Sequence, residues 1–67
     1  MIRLQYLNDT QMHTLDTKQQ KIVILFLEKG ELQSSDVHDG MLGYGEEISL
    51  VTVKRALSEL ESDGVLI

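Results

Sequence analysis

Apolar positions along the chain fall into two helical stripes and a less regular N-terminal stretch. From Ser49 to Gly64, Val53, Ala56, Leu57 and Leu60 recur at i, i+3, i+4, i+7, one face of an amphipathic helix. Ser49 has the hydroxyl of a good N-cap, and Gly64 can take the left-handed conformation that closes a helix. Lys54, Arg55, Ser58 and Glu59 lie off the apolar face. The pattern predicts a helix over 50–62 that buries one side and offers its N-terminal end to something else.

A second stripe precedes it. Asp16 and Gln19 have capping-box spacing, and Ile22, Val23, Leu25 and Phe26 form an inward face before Gly30, predicting a helix over 17–29. Ile24 and Leu27 widen the apolar girth, which suggests a central helix or one covered by a further partner. Its β-branched run leaves a strand over 22–27 as the alternative. Ser34-Ser35-Asp36 offers caps for a shorter helix over 35–42, with Val37 and Met41 inward and Gly40 weakening it by about 1 kcal/mol. Gly43 to Glu47 reads as a flexible acidic turn, and Ile48 as the N′ residue of a hydrophobic staple.

Residues 1–15 are harder to read. Ile2, Leu4 and Tyr6 alternate like a short strand, whereas Leu4 and Leu7 suit a helical face, and Asn8-Asp9-Thr10 is a turn cluster. The expectation is an arm packed loosely on a domain over 16–67, or the stub of a preceding domain. A dimerisation element is the sharper alternative.

Three helices, the last two joined by a short turn, are the arrangement of a helix-turn-helix. Leu32 and Val65-Leu66-Ile67 as facing short strands would add a wing. Ile48 through Leu60, followed by Gly64-Val65-Leu66-Ile67, resembles the recognition helix and first wing strand of winged helix-turn-helix proteins. Lys29-Gly30, then Ser34-Ser35-Asp36-Val37, resembles the first half of that fold. The nearest likeness is the winged-helix module at the C-terminal end of many Fic-type adenylyltransferases, covering about residues 16–67. The chain lacks a second wing strand, so it is expected to be a domain fragment or to carry a rudimentary wing. It also contains no Pro, hence no His-Pro-Phe catalytic motif, and nothing about nucleotide transfer carries over.

The resemblance implies a mostly α fold, a three-helix winged helix-turn-helix with a minimal or truncated β-wing, and double-stranded DNA as partner. Ser49 and Thr52 would bond phosphate or base, Leu50 or Val51 would touch a thymine methyl, and Lys54, Arg55 and Ser58 would complete the DNA-binding surface. A homodimer or a covalently linked partner domain is expected. Charge works against this reading. Asp and Glu outnumber Lys and Arg by 11 to 6, net −5, and a phosphate backbone repels an acidic surface. A protein-interaction or dimerisation module of the same fold is therefore the alternative, with the girth of the 17–29 helix as contact face.

Catalysis is not expected. His38 stands between Asp36 and Asp39, but such a His is usually a surface or capping residue, and His13 is not visibly paired with it. Gly43-Tyr44-Gly45 lacks the Lys and Ser/Thr of a phosphate loop, and there is no Cys nucleophile. No metal and no cofactor are expected. With no Cys, no bilayer-spanning apolar run and no signal-peptide pattern, a cytoplasmic location without membrane attachment is the expectation.

Overall fold

The computed structural model describes residues 1–67 and is mostly helical. Its elements are β1 (Ile2–Arg3), α1 (Asp9–Thr14), α2 (Thr17–Lys29), β2 (Glu31–Leu32), α3 (Ser34–Gly43) and α4 (Leu50–Ser62). The predicted helices over 17–29 and 50–62 coincide with α2 and α4, and the one over 35–42 with α3 to within a residue at each end. The strand alternative over 22–27 is excluded.

Local chemistry sets the helix ends. At α2, the Asp16 carboxylate accepts from the Gln19 backbone N–H at 2.8 Å, and the Gln19 side chain accepts from the Asp16 N–H at 3.3 Å. At α4, Ser49 Oγ accepts from the Thr52 N–H at 3.2 Å. The other end of α4 closes in a Schellman arrangement. Gly64, at φ +80°, donates to the Glu61 carbonyl, and Val65 donates to the Leu60 carbonyl at 2.9 Å. Val65 and Leu60 are both buried, so the hydrophobic contact belonging to that motif joins the core.

That core contains Ile22, Val23, Leu25 and Phe26 from α2, Val37 and Met41 from α3, and Val53, Leu57 and Leu60 from α4, with Leu15, Leu32, Val65 and Leu66 around them. Every residue expected to face inward on α2 is buried. Ala56 is only half-buried, at the margin of the α4 stripe. Helix α4 packs chiefly on α3, and α3 on α2. Gly40 does not interrupt α3. A Cβ there would lie 2.8 Å from both Cδ atoms of Leu25, so the glycine lets α2 and α3 approach closely.

The N-terminal stretch differs from the loosely packed arm expected for it. Ile2 and Arg3 pair antiparallel with Leu32 and Glu31, and Leu4 forms an antiparallel bridge with Leu66. On that second side Arg3 and Ile67 exchange backbone bonds at 3.0 and 2.9 Å, and Gln5 donates to the Val65 carbonyl at 2.8 Å. Leu32 and Val65–Ile67 therefore do not face one another as expected, because the N-terminal strand lies between them. Asn8 to Thr10 is not a turn but the start of α1. Asn8 caps it, accepting from the Gln11 N–H at 2.8 Å while the Gln11 side chain accepts from the Asn8 N–H. No helix is long and apolar enough to cross a membrane.

Candidate nucleic-acid interface

With Val53, Leu57 and Leu60 facing inward, the helical period turns Val51, Arg55, Ser58, Glu59 and Ser62 outward and leaves Lys54 on the flank toward α3. All five are exposed. Arg55 stands in the middle of this strip and Lys54 beside it, while Glu59 lies on the strip and Glu61 further toward the C-terminal end. Neither Lys54 nor Arg55 enters an ion pair, since the chain's pairs are Arg3–Glu31 and Lys21–Glu46. Of the seven residues singled out from sequence, Ser49, Leu50, Val51, Thr52, Lys54, Arg55 and Ser58 are all solvent-exposed on one helix or its cap. Ser49 and Thr52 are partly engaged with each other, their hydroxyls 3.0 Å apart.

Open grooves flank the strip. One is lined by Leu50 and Lys54 of α4 and by Gln33, Ser34 and Ser35 at the start of α3. It carries one base and no acid, and the first-turn N–H groups of α3 have no acceptor within their own helix. The other lies between Thr52, Arg55 and Glu59 of α4 and Asp16, Lys18 and Gln19 at the start of α2. There two acids balance two bases. The volumes, about 280 and 240 Å³, fall below the ~300–1,000 Å³ of enclosed small-molecule sites. Such grooves suit contact with an extended surface.

The acids that weighed against phosphate contact are partly occupied. Glu46, in the turn before α4, meets Lys21 of α2 at 2.6 Å, and both side chains are more buried than exposed. Glu59 accepts from the Gln19 side chain at 3.1 Å. Glu47, Glu61 and Asp63 remain exposed. The turn itself is fastened. Tyr44 Oη donates weakly to Glu28 at 3.4 Å, the Glu46 N–H bonds the Met41 carbonyl at 3.0 Å, and His38 Nε2 lies 2.9 Å from the Ile48 carbonyl oxygen.

Sequence reasoning passed over Lys18, Gln33, Ser34 and Ser35 as groove residues. It read Ser34 and Ser35 only as caps, and nothing local links Lys18 to Arg55 across 37 positions. No cluster of three His, Cys, Asp or Glu side chains is placed to hold a metal ion. Comparisons with protein-family models, curated proteins and solved structures find no match to this chain.

Proposed function

We propose that the chain is a winged helix-turn-helix DNA-binding domain of transcription-regulator type, with α4 as the reading helix. The observation that carries this reading is the outward strip of α4. Val51, Arg55 and Ser58 are exposed there with Lys54 on the flank, neither base has an ion-pair partner, and a groove joins Lys54 to the start of α3. A duplex seated on the strip would place one backbone near Lys54, Ser34 and Ser35, where a phosphate gains from the helix N-terminus by about 0.3–1 kcal/mol. Val51 and Leu50 would meet base edges at the helix's N-terminal end, as a reading helix does in a major groove. The burial of Glu46 against Lys21 eases the local repulsion, but the net charge of −5 still limits long-range attraction.

The experiment is a fluorescence-anisotropy titration of a labelled mixed-sequence duplex against the wild type and Lys54→Gln/Arg55→Gln. For the wild type, log K should fall with log salt at a slope near −2, about −0.9 for each of two phosphate contacts. The double variant should fold normally and lose this binding. A variant that binds undiminished would move the contact surface elsewhere.

A protein-docking module is the second reading, favoured by Ile24 and Leu27 of α2, which are 37% and 62% exposed. Exposed aliphatic groups on a helix suit a protein partner, and such an interface would be nearly insensitive to salt.

A further inference from the structure

We infer that His38 is a positioning residue for the tip of α4, acting through the backbone carbonyl of Ile48. The inference deepens the reading of α4 as the contact helix and rests on it for its functional consequence, though its structural part stands alone.

His38 is half-buried on α3, one position after the buried Val37, with Nε2 2.9 Å from the Ile48 oxygen. A carbonyl can only accept, so Nε2 carries the proton and donates. The acceptor is well placed to matter. Ile48 immediately precedes the cap Ser49, and α4's own ladder begins one residue later, with the Val53 N–H bonding the Ser49 carbonyl at 3.1 Å. The Ile48 carbonyl thus lies outside the helix and takes its partner from another element. Ile48 is itself half-buried against the core, and its N–H is turned back to the Glu46 carbonyl at 3.2 Å.

The entry to α4 is therefore gripped from two helices. Lys21 of α2 holds Glu46, and His38 of α3 holds Ile48 two residues on. Of these two side-chain grips, His38's is the one that reaches the backbone next to the cap, and through it His38 positions Ser49, Leu50, Val51 and Thr52. Gly45, at φ +82°, lets the preceding turn bend, and the Glu46 N–H bond to the Met41 carbonyl fastens that turn ahead of the His38 bond. The two carboxylates beside His38 in sequence have no part in it: Asp36 accepts from the Gln33 N–H at 3.1 Å, and Asp39 is exposed.

The test compares His38→Gln, whose amide N–H has similar reach, with His38→Phe, which keeps bulk but cannot donate. In 15N-labelled protein, His38→Phe should shift the amides of Ser49 to Val53 and speed hydrogen exchange at Thr52 and Val53 about five- to tenfold, the size of one net hydrogen bond. His38→Gln should restore both to near wild type. Shifts confined to the surroundings of position 38, with unchanged exchange at 52 and 53, would overturn the inference. If His38→Phe does not fold, ring-nitrogen shifts of the wild type at about pH 8, where imidazole is ordinarily neutral, decide the matter. The Nε2–H tautomer is expected, and the Nδ1–H tautomer would refute the bond.

Titrating the same three proteins with a mixed-sequence duplex separates the two claims. If α4 reads DNA, the His38→Phe variant should bind several-fold more weakly and His38→Gln normally. Exchange changes at the tip without any duplex binding by the wild type would leave the positioning role in place and remove the DNA reading.

Discussion

Gly40 and Leu25 meet where α2 and α3 cross, and a Cβ at Gly40 would come within 2.8 Å of both Leu25 methyl carbons. Leu25 is buried, so its side chain cannot simply swing into solvent. Gly40→Ala gains about 1 kcal/mol of helix propensity but overpacks this contact at a cost of about 1–3 kcal/mol. The single substitution should lower stability by about 0–2 kcal/mol. In a Leu25→Ala background the clash is gone, and the same change should stabilise by about 1 kcal/mol. Urea unfolding of the four proteins in this cycle checks the reversal of sign.

Deleting residues 1–7 should cost about 2–4 kcal/mol, the share expected for three half-buried aliphatic side chains, Ile2, Leu4 and Leu7. The loss follows from the arm's position between β2 and Leu66 rather than on the outside. A change below about 0.5 kcal/mol in urea unfolding would mean that the strand pairs make no net contribution.

These two features mark the limit of what could be read from sequence. The faces of α2 and α4 were legible because each carries an apolar stripe at helical period between two marked ends. The helix α1, over Asp9–Thr14, has no buried residue, and its one half-buried apolar side chain is Met12. No periodicity could announce it, although the Asn8–Gln11 capping pair repeats the spacing that marked Asp16–Gln19. Strand β1 was seen as an alternation, but its partners Leu32 and Glu31, and the Leu66 that bridges the following Leu4, are distant in sequence. Gly40 was legible as a helix-weakening residue and not as a contact, since Leu25 is its neighbour only after folding. On the candidate interface the exposed face of α4 followed from period alone. The engagement of Glu46 by Lys21, which changes the local charge balance, joins two helices and has no local signal.

Leu60 and Leu57 of α4 are buried in the core. Replacement of either by Ala should cost about 2–5 kcal/mol, as for a fully packed leucine, and in so small a domain should abolish most of the folded population. Thermal melts followed by circular dichroism check this. A loss of only a few tenths of a kcal/mol would contradict the packing described for α4.

Tyr44 should deprotonate above the ordinary tyrosine value of about 10. Partial desolvation and then the Glu28 carboxylate, which repels the phenolate and accepts from the phenol, both raise it. Because the folded state favours the protonated phenol, this small stabilisation is present below the unfolded value and is lost as pH rises through the folded one. Ring proton shifts followed through alkaline pH should show the raised midpoint, and Glu28→Gln should lower it. An unchanged midpoint in that variant would exclude the Glu28 contact.

We propose that the outward strip of α4 meets a nucleic acid. The most direct measurement is an NMR titration of 15N-labelled protein with a short duplex at ~20 mM and then ~150 mM salt. Shifts should cluster on Ser49, Leu50, Val51, Thr52, Lys54, Arg55 and Ser58, with Ser34 and Ser35 responding on the flank, all fading as salt rises. Spectra unchanged at the lower salt would contradict it and turn attention to the exposed face of α2 around Ile24 and Leu27.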